Sequence, residues 1–250
     1  MPHKNYTPEE LHNLKEAVAL LEKYKFSLIF GDIAGALQKV IDVIEISLGN
    51  DGGKTDFVAP EKVPHIKGSE YLAPIIEAVR KQQVLRLYYH PFYEDKPYFT
   101  EVHPYLLKEY ENRWYMVGLN DFKRQTRTYS LDRIRDIQVS DVNYIAKDFN
   151  AESYFKHTIG VISPPGTPPR IVVEVQKTQA QYMITRPWHE SQNIEEEKED
   201  SIVFSLRVHP TYELVSLLLS FGKDLRVLSP DSLRERIRDH VNAMTGYYTE

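Results

Sequence analysis

The 250-residue chain contains no cysteine. That absence removes disulfides, thiolate zinc sites and cysteine nucleophiles together, and fits a reducing compartment. Long hydrophobic runs are missing too: no stretch approaches the roughly 20 apolar residues of a membrane helix. The opening residues MPHKNYTPEE lack the apolar core of a signal peptide. The expectation is a cytoplasmic protein with no membrane partner. Excess positive charge is also absent. A net charge of −5 argues against a protein that coats DNA, while leaving room for a local basic pocket. What is present is ordinary for a globular chain, 42% apolar and 27% charged, and the length accommodates two or three compact units.

Catalytic signatures are equally scarce. Gly53-Lys54-Thr55 looks like the end of a phosphate-binding loop, but Leu48 stands where that pattern needs its first glycine, and no helix follows. The histidines form no His-Glu-x-x-His and no short His-x-His pair; His189-Glu190 alone is not a site. No Gly-x-Ser-x-Gly elbow anchors a hydrolase triad. Carboxylates lie on helix faces and turns, where solvated charge is the usual explanation. No enzyme activity, metal or cofactor is expected.

Three segments follow from the patterning, and the fold class is α+β. Residues 6–49 read as helical. Thr7-Pro8-Glu9-Glu10 forms a capping box, and Leu11, Leu14, Val18 and Leu21 give a helical stripe. A second stripe runs from Ile33 to Leu48 and stops at Gly49-Asn50. A linker rich in glycine and proline leads to residues 70–150. There a helix over Leu72–Lys81 precedes five strand-like runs: 84–89, 99–109, 114–119, 125–130 and 134–139. Glu111-Asn112 makes a hairpin turn, and five short strands after one helix predict a small, strongly bent β-barrel. Ser163-Pro164-Pro165-Gly166-Thr167-Pro168-Pro169 separates this unit from residues 170–248. Those follow the order β-α-β-β-α-β of a ferredoxin-like sandwich, with Gly222 as a helix stop and Ser229-Pro230 as a cap and first-turn pair. The acidic run Glu195-Glu196-Glu197 reads as a solvated strand end.

The barrel strands carry the informative chemistry. Alternation puts Trp114 and Met116 on one face of their strand and Arg113, Tyr115 and Val117 on the other. In the next run Arg127, Tyr129 and Leu131 share a face. A guanidinium beside an aromatic ring can hold a phosphate while a base stacks. The competing reading makes these residues core, with Arg127 paired to Asp132 or Asp136, and spacing alone favours it. His103-Pro104-Tyr105 lies in a neighbouring strand, where a lone histidine is more often a packed or capping residue than a ligand contact.

At these residues the chain resembles the WYL-domain family. Arg113-Trp114-Tyr115-Met116-Val117-Gly118 stands where members carry the naming Trp-Tyr-Leu, with Met116 a near-isosteric replacement for the leucine. The run TYSLDRIRDIQV, 128–139, is similar to the second hallmark, and VHPYLL, 102–107, to the proline-containing strand. The tail ELVSLLLSFGKDLRVLSPDSLRERIRDHV, 213–241, resembles the WCX extension. One departure is Thr100-Glu101, where many members have an arginine.

The resemblance implies an Sm-like barrel sensor followed by a ferredoxin-like WCX module, in a bacterial transcriptional regulator that works as a homodimer. It implies a single-stranded nucleic-acid or nucleotide effector, held by residues matching His103, Tyr105, Trp114, Tyr115, Arg127, Tyr129 and Arg133, with Arg226 and Arg234 as further candidates in WCX. With the resemblance included, ligand contact outweighs packing for Arg127, Tyr129 and Arg133. Trp114 and Met116 read as core, and Tyr115 stays open. DNA would be bound through a winged helix-turn-helix head, for which the five residues ahead of Tyr6 leave no room. The chain then either starts after that head or is a stand-alone sensor. The alternative class is an interaction scaffold without a small effector.

Overall fold

The computed structural model describes Thr7, Glu10 and residues 67–249. Both helical stripes expected between residues 11 and 48, and Gly53-Lys54-Thr55, lie outside the described residues. The capping box is present: Glu10 N–H donates to Thr7 Oγ1 at 3.2 Å, and Thr7 N–H donates back to the Glu10 carboxylate at 2.8 Å. These reciprocal bonds satisfy two amides that a helix start leaves open, and they hold the Glu10 carboxyl below its usual range.

The chain divides into two compact units at Ala146/Lys147. In the first, helix α1 (Leu72–Lys81) buries Leu72, Ile75 and Ala78 along one stripe. It stops at Gln82, whose left-handed φ of 52° lets its N–H reach Ala78 and Val79 carbonyls. Five strands follow: β1 (Leu85–Tyr89), β2 (Tyr98–Tyr110), β3 (Arg113–Asn120), β4 (Gln125–Ser130) and β5 (Ile134–Val139). They form one antiparallel sheet in the order β4-β3-β2-β1-β5. Between β2 and β3, Glu111 and Asn112 both take positive φ (48° and 59°), the geometry of the two-residue hairpin turn expected from the sequence. Pro104 is tolerated inside β2 because the register with β3 shifts between Pro104 and Leu106, and pairing with β1 ends at Val102.

The sheet is curled. Its outermost strands β4 and β5 are joined by only three residues, the 3-10 turn Leu131–Arg133. A flat sheet would hold such strands about 19 Å apart, beyond the roughly 14 Å that connection can span. Tyr89 on β1 accepts the Ser130 N–H of β4 at 3.2 Å although two strands intervene in the sheet order. The small, strongly bent barrel expected from the sequence is seen as an open sheet, with no ladder joining β4 to β5 among the described residues.

In the second unit a short helix α2 (Ala151–Phe155), not expected from the sequence, is capped by Asn150, whose side chain accepts the Ser153 N–H. Then come β6 (Arg170–Gln176), α3 (Lys177–Thr185), β7 (Asn193–Glu197), β8 (Ser201–Arg207), α4 (Tyr212–Ser220), β9 (Leu225–Ser229) and α5 (Asp231–Gly246). The expected β-α-β-β-α-β order gives an antiparallel sheet β7-β8-β6-β9. Ile171, Val173 and Val175 of β6 pack with Phe204 and Leu206 of β8 and with Leu214 and Leu218 of α4. Central β8 is buried along nearly its whole length, and the acidic edge strand β7 is exposed throughout. Ser229 is not the helix cap that the sequence suggests. It ends β9, its peptide to Pro230 is cis, and Pro230 occupies the cap position with no side-chain hydrogen bond. Among the described residues no helix is long and apolar enough to cross a membrane.

Candidate functional site

The inner face of the curled sheet is built by alternation. Tyr129 pairs with Met116, Arg127 with Gly118 and Gln125 with Asn120 across β3–β4. Val102 continues that face from Asn120, and Thr100 and Tyr98 oppose Leu87 and Tyr89. The deep part is apolar, with Leu85, Leu87, Val102 and Met116 fully buried. Towards one end it becomes polar. Buried Asn120 donates through Nδ2 to Thr100 Oγ1 and to the Tyr129 hydroxyl, both at 2.7 Å, and accepts the Lys123 N–H through Oδ1. Every donor and acceptor of the amide is thereby engaged, which is what burial of an asparagine demands.

Three tyrosines line this end. Tyr89 meets Tyr129 edge-on at 5.3 Å and Tyr98 at 6.2 Å between centroids. Burial pushes the Tyr89 hydroxyl up to about 12, against the opposing pull of Arg133. Burial also raises Tyr129 and Tyr98, and in both cases Arg127 pulls the other way. Arg127 and Arg133 therefore both act on one tyrosine cluster. Tyr89 and Tyr98 join Arg127, Tyr129 and Arg133 at this end of the sheet.

The two arginines are poorly compensated. Arg127 has no carboxylate within ion-pair distance among the described residues; its one side-chain contact is Nη2 to Gln125 Oε1 at 3.5 Å. Its Nε is shielded from water and has no partner. Asp132 and Asp136, the anticipated partners, are engaged elsewhere. Asp132 accepts from Arg113 Nη1 at 3.1 Å and from Ser130 Oγ at 2.5 Å, and Asp136 accepts from Gln138. Arg133 Nε forms a long ion pair with Asp132 at 3.8 Å, beyond hydrogen-bond range, and is shielded without a hydrogen-bond partner. The Arg133 guanidinium lies over the Phe92 ring at 4.5 Å from its centroid.

The remaining candidates sit elsewhere. His103 points to the opposite face from Val102 and is completely buried. Its Nδ1 accepts the Ile145 N–H at 3.0 Å, which fixes the tautomer so that Nε2–H donates to Asp121 at 3.1 Å. Tyr105 donates to the Ile145 carbonyl, so both residues pin the segment after β5. Trp114 is partly buried against the core. Tyr115 is half-buried on β3, opposite Lys108 and Ser130. In the second unit Arg226 is bound to Glu174 at 2.5 Å, and Arg234 pairs with Asp231 at 2.8 Å one helical turn away. Sequence reasoning missed Tyr89, Phe92, Tyr98 and Asn120. The ring-dense run YYHPFYEDKPYF, 88–99, was the available signal for three of them. Among the described residues, no cluster of three or more histidine, aspartate or glutamate side chains could hold a metal ion.

A curled sheet carrying these motifs, followed by the second α+β unit, defines a class, and comparison with known families agrees. The WYL domain matches residues 70–139 and the WCX domain residues 167–245. The chain belongs to the WYL-domain family and carries the WCX extension. Among solved structures it is similar to proteasome accessory factor B/C (PafBC) of Arthrobacter aurescens, at 22% identity and a TM-score of 0.34, over 77% of this chain and 28% of that one. It is also similar to a CRISPR Cas-related protein, at 16% identity and a TM-score of 0.49, over 72% of this chain and 53% of that one. The chain thus spans about a quarter and about half of the lengths of these two proteins. No curated protein matches it.

Proposed function

We propose that this chain is the effector-sensing and dimerising part of a WYL-type transcriptional regulator. In this reading the curled sheet binds single-stranded nucleic acid or a nucleotide through Arg127 and Arg133. One observation carries it: two neighbouring arginines whose Nε atoms are shielded and unpartnered beside a tyrosine cluster. Leaving a buried donor unsatisfied costs about 1–3 kcal/mol. The Nε–Nη edge of a guanidinium is also the edge that grips a phosphate in bidentate fashion. A phosphate that drew these side chains out of their shielded positions would relieve that cost, supply the counter-charge that Arg127 lacks and take over from the distant Asp132 contact of Arg133. Ligand occupancy then biases the arrangement of subunits, and so the spacing of DNA-binding heads.

The test is titration of the full chain with short single-stranded DNA, RNA and cyclic nucleotides at two salt concentrations. Binding that weakens with salt and is lost in Arg127→Ala supports the sensor. Absence of binding to every probe, alongside a stable dimer, supports the second reading, an assembly scaffold without small effector. That reading has its own observation. The apolar stripe of α5 begins buried at Leu233 but continues into solvent as Val241 and Met244, which are 48% and 49% exposed, and Tyr248 just past the helix end is 84% exposed.

A further inference from the structure

The connection between β1 and β2 carries rings that the strands do not explain. Pro91 and Pro97 bracket it, and a hydrogen bond from Glu94 N–H to the Pro91 carbonyl (3.1 Å) folds Pro91–Glu94 into a β-turn with Phe92 and Tyr93 at its two central positions. His90 fixes the base of this loop: its N–H donates to the Arg133 carbonyl at 2.9 Å, and its Nε2 lies 3.0 Å from the Glu94 carbonyl oxygen. The loop is thus tied to Arg133 through the backbone as well as through the ring.

Phe92 is 69% exposed and Tyr93 is 79% exposed. One face of the Phe92 ring is against the Arg133 guanidinium, 4.5 Å from centroid to Cζ, so most of what the ring exposes faces solvent on its other side. A cation on one face holds the ring in place and leaves the other for a flat partner. An aliphatic partner would gain from burial alone. A nucleobase would gain stacking as well, and its phosphate would reach the guanidinium that holds the ring.

We infer that Phe92, seated on Arg133, is a stacking subsite for one base of the bound strand, so that the site distinguishes a base-bearing polyanion from a bare phosphodiester chain. This rests on the nucleic-acid reading above and adds to it a residue outside the sheet and a selectivity for bases. Phe122, 90% exposed in the β3–β4 turn, is the internal control, since no arginine or lysine is recorded against its ring among the described residues.

The experiment measures binding of the full chain to two fluorescent probes: an oligothymidylate of about ten nucleotides, and an abasic phosphodiester of equal length. Wild-type protein is expected to favour the base-bearing probe. Phe92→Ala should weaken that probe about tenfold and leave the abasic one unchanged, Phe92→Trp should restore it, and Phe122→Ala should change neither. Because Phe92 is exposed, the variants should melt as wild type does. Equal wild-type affinity for the two probes would overturn the subsite while leaving the nucleic-acid reading in place. So would a Phe92→Ala protein that binds both as wild type does, or loses both equally. Failure of wild type to bind either probe would overturn the subsite, and failure with the RNA and cyclic nucleotides as well would overturn that reading with it.

Discussion

Arg127 and Arg133 of the first unit stand in contrast to Arg170 and Arg226 of the second. In the second, Glu174 accepts from Lys198 and Ser201 at 2.9 Å each and from Arg226 at 2.5 Å, which holds its carboxyl down at about 2. Arg170 meets Glu195 at 2.7 Å, and Glu195 also accepts from Ser205. Arg170 and Arg226 each neutralise a carboxylate on another strand of the same sheet. In the first unit Arg127 meets no carboxylate among the described residues, and Arg133 has one only at 3.8 Å. Both units place arginine on or beside an antiparallel sheet, so secondary structure does not separate the two cases. What separates them is the partner across the sheet: a glutamate beside Arg226, and the side-chain-free Gly118 opposite Arg127. Arginine in a strand therefore reads as structure or as a binding group according to whether its charge is already answered.

The largest expected effect attacks that contrast directly. Arg127→Ala combined with Arg133→Ala should lower affinity for a short single strand by more than tenfold, as measured by fluorescence anisotropy, because each removes a charged hydrogen-bond donor worth about 1.5–3 kcal/mol. Melting should change little, since neither side chain holds a carboxylate closely.

Next comes Gly118→Ala, which separates the fold beneath Arg127 from its charge. A Cβ there would stand 2.5 Å from the His103 carbonyl oxygen and 2.6 Å from Val102 Cγ1, so the backbone of β2 would have to shift. A loss of about 1–3 kcal/mol in the denaturant-unfolding transition of the first unit is expected.

The charge-answered side of the comparison gives a pH dependence. The Glu174 carboxyl is depressed, so its contribution is present above the unfolded carboxylate pKa, about 4.3, and is lost as pH falls towards 2. Thermal melts between pH 5 and pH 2 should show the second unit weakening. Glu174→Gln should remove that part of the dependence and lower the neutral-pH melting temperature by a few degrees. The smallest effect belongs to Arg226→Ala. It removes a partner whose side chain is 73% exposed, and should leave strand affinity at the wild-type value in the same anisotropy assay.

The elements themselves could be read from the sequence because their periods are short. The run Gln125–Ser130 alternates and emerges as β4 with the same bounds, and Leu72–Lys81 emerges as α1. Arg127 and Tyr129 sharing a face follows from that same alternation. What the sequence could not carry is the curl. Tyr89 reaches Ser130 across 41 residues, a contact between strands that have two others between them in the sheet order. Counter-charges are long-range in the same way. Arg226 finds Glu174 across 52 residues, whereas Asp132, near Arg127 in sequence, turns instead to Arg113 and Ser130. His103 shows the limit of motif matching: its position fits a family strand, while its two ring nitrogens are consumed by Ile145 and Asp121.

The most direct test is the salt dependence of strand binding by the wild-type chain, Arg127→Ala and Arg226→Ala, plotted as the logarithm of affinity against that of salt concentration. The account predicts that Arg127→Ala flattens the slope by about one, while Arg226→Ala runs parallel to wild type. Parallel lines for all three proteins, or a flattened slope for Arg226→Ala alone, would contradict it.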